Sequence, residues 1–169
     1  TSMPPNPTLT QSVKLALQVA DKLPSGPEQV AAAERAVSLA EQLGDFPLRV
    51  QARINLVAAY DAAGSSDREL AHIAWLLGAL DKEADLTERQ RFEILWEARF
   101  ALVITRNSSR LDLRAVRRIY GDVEARFRRS GVSPNLYAKH RALLADEIDI
   151  DETRDRWLQV WRNSPRDRV

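Results

Sequence analysis

Apolar residues in this chain recur at steps of three and four, in stretches cut by short Gly-, Pro- and Ser-bearing breaks. That spacing places them on one side of a helix, while a strand needs strict alternation. No stretch alternates with period two, so no sheet is expected. Pro4, Pro5, Asn6 and Pro7 form a non-helical lead-in, and Thr8 or Thr10 caps the first helix. That helix carries Val13, Leu17 and Ala20 and is stopped by Pro24-Ser25-Gly26-Pro27. The second helix packs through Ala32, Ala33, Ala36, Val37 and Ala40 and ends at Gly44. A third starts near Pro47, carries Ala52, Leu56, Ala59 and Tyr60, and ends at Gly64. Ser65, Ser66 and Asp67 offer caps for a fourth, with Leu70, Ala71, Trp75, Leu76 and Ala79.

Thr87 and Gln90 have capping-box spacing and open a fifth helix with Phe92, Leu95, Trp96, Phe100, Val103 and Ile104. The sixth, about 111–129, carries Ala115, Val116, Ile119, Tyr120, Val123 and Phe127 and closes at Gly131. Ser133-Pro134 opens a seventh with Tyr137, Leu143 and Leu144, and the eighth, about 151–163, holds Trp157, Val160 and Trp161. Short joints between successive helices imply antiparallel neighbours.

The helices repeat in pairs. A shift of 39 residues carries Val13, Leu17 and Ala20 onto Ala52, Leu56 and Ala59, and Ala32, Ala36, Val37 and Ala40 onto Ala71, Trp75, Leu76 and Ala79. Shifts of 44 and 41, chosen to align apolar positions, extend the pattern to the third and fourth pairs. A drifting period of this kind belongs to stacked helical hairpins joined by loops of varying length. The expected fold is all-α, a right-handed α-solenoid of about four antiparallel hairpins over residues 9–163. Residues 1–8 are a disordered lead-in and 164–169 a tail. Met3 reads as a native start, with Thr1 and Ser2 as an added remnant.

The run Ala33 to Asp45, followed by Ala52 to Gly64, resembles tetratricopeptide repeats, in the longer variant of bacterial regulators and kinesin light chains. The residues that carry it are Asn55-Leu56, Ala59-Tyr60, Gly64, then Ala71, Trp75 and Ala79. Val57 departs from the usual glycine or alanine, and two extra residues separate Gly64 from Ala71. The specific likeness covers about residues 30–80. The end, from Trp157 to Asp167, is similar to the close of repeat-bearing actinobacterial proteins, whose chains often continue into a cysteine-containing tail.

In that family the first helix of each hairpin lines a concave groove that takes an extended peptide or a partner helix. The resemblance therefore puts Gln51, Ile54, Asn55, Ala58 and Asp61 in a partner groove. Some members grip a C-terminal carboxylate with Lys, Asn and Arg at fixed groove positions. Asn55 fits one of these positions, and Ile54 and Ala58 do not supply the others.

Charge marks a second candidate. Residues 1–98 carry 9 basic and 14 acidic side chains, 99–141 carry 11 and 3, and 142–169 carry 5 and 7. Within the basic segment Arg110, Arg114, Arg117 and Arg118, extended by Arg126, Arg128 and Arg129, repeat opposite the apolar stripe. The preferred account is a solvated face paired with Asp112, Asp122 and Glu124. The alternative is a regulator that contacts nucleic acid, or an acidic protein, through this third hairpin. No interleaved aromatic platform is visible there, which counts against nucleic acid.

Other features have plainer roles. Trp75, Trp96, Trp157 and Trp161 read as packing residues. If the stack ends at Trp161, one face is under-covered, which points to a homodimer seam or to further chain. Asp146, Glu147, Asp149, Asp151 and Glu152 lack the glycine and ligand pattern of a calcium loop and read as a turn and cap. His72 and His140 stand without a second metal-ligand residue at suitable spacing. No phosphate loop, nucleophile elbow or zinc-protease motif is present. No catalytic residue, metal or cofactor is expected. Cysteine is absent, and with no apolar run of about 20 residues the expected setting is the cytoplasm, without a membrane. The expected function is non-catalytic protein binding.

Overall fold

The computed structural model describes residues 8–65, 68–82, 85–99 and 113–131, together with 155, 158–160 and 162. Among these residues the regular structure is helical, without a strand. The helices with described bounds are α1 (Leu9–Lys22), α2 (Pro27–Leu43), α3 (Phe46–Ala63), α4 (Glu69–Leu80), α5 (Glu88–Ala98) and α6 (Leu113–Ser130). The expected seventh helix, the continuation of the fifth beyond Arg99, His140, Trp157, Trp161, the acidic cluster at 146–152 and the tail 164–169 lie outside the described residues.

Local chemistry sets the helix ends. Of the two candidate threonines, Thr8 is the cap. Its Oγ1 accepts from the Gln11 N–H at 3.3 Å, and the Gln11 Oε1 accepts from the Thr8 N–H at 2.8 Å. Thr87 and Gln90 make the same reciprocal pair at the start of α5. Asp45 caps α3 by accepting from the Leu48 N–H at 3.0 Å, so the helix starts at Phe46, one residue before Pro47. Gly44 and Gly64 close α2 and α3 with φ of +74° and +71°, a backbone state that a side chain would strain. The N-terminal end of α4 has no side-chain cap. Of the caps expected there, Ser66 and Asp67 lie outside the described residues.

Two buried clusters fix how the first three helices run. Val13 and Leu17 of α1 meet Ala36 and Ala40 from the C-terminal half of α2 and Ala52 from the N-terminal half of α3. Ala20, near the C-terminal end of α1, meets Val30 and Ala33 from the start of α2 and Leu56, Ala59 and Tyr60 from the second half of α3. So α2 runs antiparallel to α1 and α3, and α1 and α3 run parallel. Alanines at most of these positions let the backbones approach closely. Leu56 and Tyr60 fill the remaining space. Phe46 at the start of α3 lies beside Trp75, while Tyr60 near its end lies beside His72, so α4 runs back antiparallel to α3.

The 39-residue shift survives in α1 and α3, where Val13, Leu17, Ala20, Ala52, Leu56 and Ala59 are all buried. It is less faithful in α4. Ala71 is exposed and Trp75 half-buried, while Glu69, Ile73, Leu76, Leu77, Ala79 and Leu80 face inward. The branched residues carry more apolar surface than Ala71 and win the inward side. A similar rotation occurs in α5. Ile94, Leu95 and Ala98 are buried, while Phe92 and Trp96 remain 44% and 39% exposed. In α6, Tyr120, Val123 and Phe127 are buried as the spacing requires.

The chain divides into two compact units, Thr1–Arg91 and Phe92–Val169. Among the described residues no helix is long and apolar enough to cross a membrane. The packing of the first unit predicts opposite-sense core failures. Leu56→Ala should cost about 2–5 kcal/mol through the cavity it leaves. Ala36→Leu should cost about 1–3 kcal/mol by overfilling the space between α1, α2 and α3. Urea unfolding followed by circular dichroism measures both, and an unchanged midpoint for Ala36→Leu would contradict the close approach.

Candidate functional site

The parallel pair α1 and α3 presents one shared face. Gln51 and Asn55 are half-buried there, and Ala58 and Asp61 are exposed. Gln51 Nε2 donates to Asn55 Oδ1 at 2.9 Å, and Asn55 Nδ2 donates to Asp21 Oδ1 of α1 at 3.3 Å. Asn55 thus joins the two helices and has its amide orientation set by a neighbour on each side. Ile54 is only 5% exposed, so it belongs to the interior and not to the open surface. Of the five expected groove residues, Gln51, Asn55, Ala58 and Asp61 reach solvent and Ile54 does not.

α1 also exposes two large apolar residues on the side away from its buried stripe. Leu15 and Val19 of α1 are 57% and 47% exposed. They lie one helical turn apart, so their side chains form a single apolar strip. The signal for them was present in the repeat. The 39-residue shift that aligns the cores also carries Leu15 onto Ile54 and Val19 onto Ala58. The Leu15/Ile54 position is thus buried in the second hairpin and open in the first, while the Val19/Ala58 position is exposed in both.

A polar network ties α2, α3 and α4 together. Glu41 of α2 receives Arg49 Nη2 at 2.8 Å and Arg53 Nη2 at 2.7 Å. Burial alone would raise the Glu41 pKa, but hydrogen bonds and charge from the two guanidiniums outweigh it and hold the carboxyl below its ordinary value. Arg53 also places Nη1 2.9 Å from His72 Nδ1. A guanidinium has no acceptor, so Nδ1 must accept and the His72 proton sits on Nε2. The Arg53 and Arg49 guanidiniums lie 4.3 and 5.3 Å from the centre of the Trp75 ring. Trp75, read from sequence as a packing residue, is therefore the aromatic floor of an arginine pair.

The network continues through Tyr60, whose ring is 5.9 Å from that of His72. Its hydroxyl donates to Glu34 Oε1 at 2.7 Å. Burial, reinforced by the Glu34 carboxylate, pushes the Tyr60 phenol up to about 12. Arg68 reaches the same carboxylate at 3.4 Å from an exposed position, a pair of little energetic weight. This assembly is built for holding helices together. Among the described residues no three His, Asp or Glu side chains gather as they do around a metal ion.

The third feature is the outward side of α6. Arg114, Arg117, Arg118, Arg128 and Arg129 are exposed, and Arg126 is half-buried. Of the expected pairings, Arg128 Nη2 meets Glu124 Oε1 at 3.0 Å. Arg126 turns back to donate to the Asp122 carbonyl at 3.1 Å. Arg110 and Asp112 lie outside the described residues.

No protein-family model matches the chain, and comparison with curated proteins and with solved structures finds no match.

The His72 arrangement has a pH signature. Burial first, and the Arg53 charge second, push its pKa below the ordinary value, with Glu34 pulling weakly the other way. The unfolded chain then binds the proton more readily than the folded one. The stabilising contribution is complete above about pH 6.5 and is lost as the pH falls through the lower folded value. The melting temperature should therefore fall on mild acidification, and His72→Gln, which keeps an acceptor for Arg53, should flatten that slope. Equal slopes in the two proteins would show that His72 is not the titrating group.

Proposed function

We propose that this chain is a protein-binding module of tetratricopeptide type, which takes a peptide or partner helix across the face shared by α1 and α3. The observation that carries the reading is the Asn55–Asp21 bridge between the parallel helices, with Leu15 and Val19 exposed elsewhere on α1. Exposed apolar side chains and oriented polar groups are what a peptide-docking surface offers: the apolar residues supply affinity, and the amides and carboxylates supply register. The helix directions support the same reading. An antiparallel hairpin followed by a third helix parallel to the first is the unit from which hairpin stacks are built. The function is binding, and the groups joined around Glu41 and His72 serve to keep α4 on α3.

A displayed peptide library tests the proposal. A peptide selected on the wild-type protein should lose at least about tenfold in affinity, roughly 1.4 kcal/mol, with Leu15→Asp/Val19→Asp. Asn55→Ala should weaken it less. Ser38→Asp, on the outer side of α2, should leave it unchanged. Melting temperatures within a degree or so of wild type show that the fold is intact. Full affinity in the double variant would remove this face as the binding site.

A further inference from the structure

The outward side of α6 carries a charge arrangement that stability does not explain. The helix is fixed in rotation by Tyr120, Val123 and Phe127, which are buried on the opposite side. Arg114 stands three and four residues before Arg117 and Arg118, so these like charges are neighbours on the surface and weaken the helix. An acidic residue at any one of these positions would reverse that effect. Among the described residues no carboxylate pairs with Arg114, Arg117 or Arg118. The carboxylates of the helix, Asp122 and Glu124, fall towards the edges of the stripe, and Glu124 is held by Arg128.

The middle of the stripe is smooth. Gly121 and Ala125 lie between the Arg114–Arg118 cluster and the Arg128–Arg129 pair, both exposed. A Cβ added at Gly121 meets nothing within 4 Å, so packing does not require glycine there. A helix-interior glycine lowers helix stability, and here its structural consequence is an unobstructed surface between two arginine clusters. Such a surface admits a chain-like anion lying along the helix. Arginine also suits phosphate better than lysine does, because its planar fork makes two parallel hydrogen bonds.

The same unit exposes an aromatic group. The Phe92 and Trp96 rings are stacked, with centroids 6.0 Å apart and planes inclined by 26°. The Arg99 guanidinium lies 3.2 Å from the centre of the Trp96 ring. The Trp96 ring is thus engaged by both Phe92 and Arg99, and the 44% exposed Phe92 is the ring of the pair that offers surface for an unpaired base.

We propose that the second unit binds single-stranded nucleic acid, with the phosphate backbone along the Arg114–Arg129 stripe of α6 and the exposed Phe92 ring available to bases. The test is fluorescence anisotropy of a labelled oligouridylate of about 16 nucleotides with the full chain, titrated with salt. Wild type should bind at about 50 mM salt and weaken steeply as salt rises. The triple variant R114Q/R117Q/R118Q should bind at least about tenfold more weakly, and its log–log salt slope should be shallower by about 2, at roughly 0.7 per lost phosphate contact. Gly121→Glu, a second and independent change, should weaken binding by placing a carboxylate in the smooth centre. Phe92→Ala should weaken binding with the slope unchanged. Absence of binding by wild type at about 50 mM salt, or an unchanged slope in the triple variant, would overturn the proposal. So would polyglutamate competing as well as oligouridylate per charge, which would assign the stripe to an acidic protein.

Discussion

Close approach of helix backbones is the constraint on which the first unit depends. Ala20 on α1, Ala33, Ala36 and Ala40 on α2, and Ala52 and Ala59 on α3 all face one another in the interior. A larger side chain at any of them has to be accommodated by moving a helix, because protein interiors are close-packed. The few large residues, Leu56 and Tyr60 among them, then act as wedges that set the spacing. Everything on the surface follows from this. The distance between α1 and α3 is short enough for Asn55 to reach Asp21, and the rotation that buries Val13 and Leu17 leaves Leu15 and Val19 outside.

The α3–α4 contact rests on different physics. There the groups are Glu41, Arg49, Arg53, His72 and Trp75, and their attraction depends on protonation state. Arg53 serves a carboxylate, an imidazole and an indole together, so loss of its guanidinium would affect three neighbours. Such a half-buried network adds specificity of alignment more than raw stability, since each charge gives up part of its hydration to join it. The α3–α4 contact thus adds a pH-sensitive ionic part to the apolar burial of Ile73, Leu76 and Leu77.

The two candidate surfaces are also unlike in kind. The α1–α3 pair presents bridged amides and a carboxylate, with exposed apolar residues on α1, suited to a folded or extended polypeptide. The α6 stripe is a row of arginines, of which Arg114, Arg117 and Arg118 pair with no carboxylate among the described residues, suited to a repeating anion. They belong to separate compact units, and each is presented by a helix whose rotation is fixed by its own buried stripe.

Sequence alone determined the helices, because spacing of apolar residues and the capping chemistry of Thr8, Gly44, Gly64, Thr87 and Gln90 act over four or five residues and need no distant partner. It also determined which side of α1 and α6 faces inward, where one stripe clearly outweighs the rest. It did not determine the rotation of α4 and α5. There two apolar stripes compete, and only neighbouring helices decide that Ile73 and Leu77 go in while Ala71 stays out, or that Leu95 is buried and Trp96 is not. The fate of Ile54 and Leu15 shows the same limit: equivalent register positions, one inside and one outside, separated by what packs against each helix. Nor could spacing predict the joining of Glu41, Arg53 and His72, which lie on three helices and meet only when α2, α3 and α4 are assembled. Contacts between residues near in sequence are written in the sequence. Contacts across helices are settled by competition for the same interior space, and that competition exists only in the folded chain.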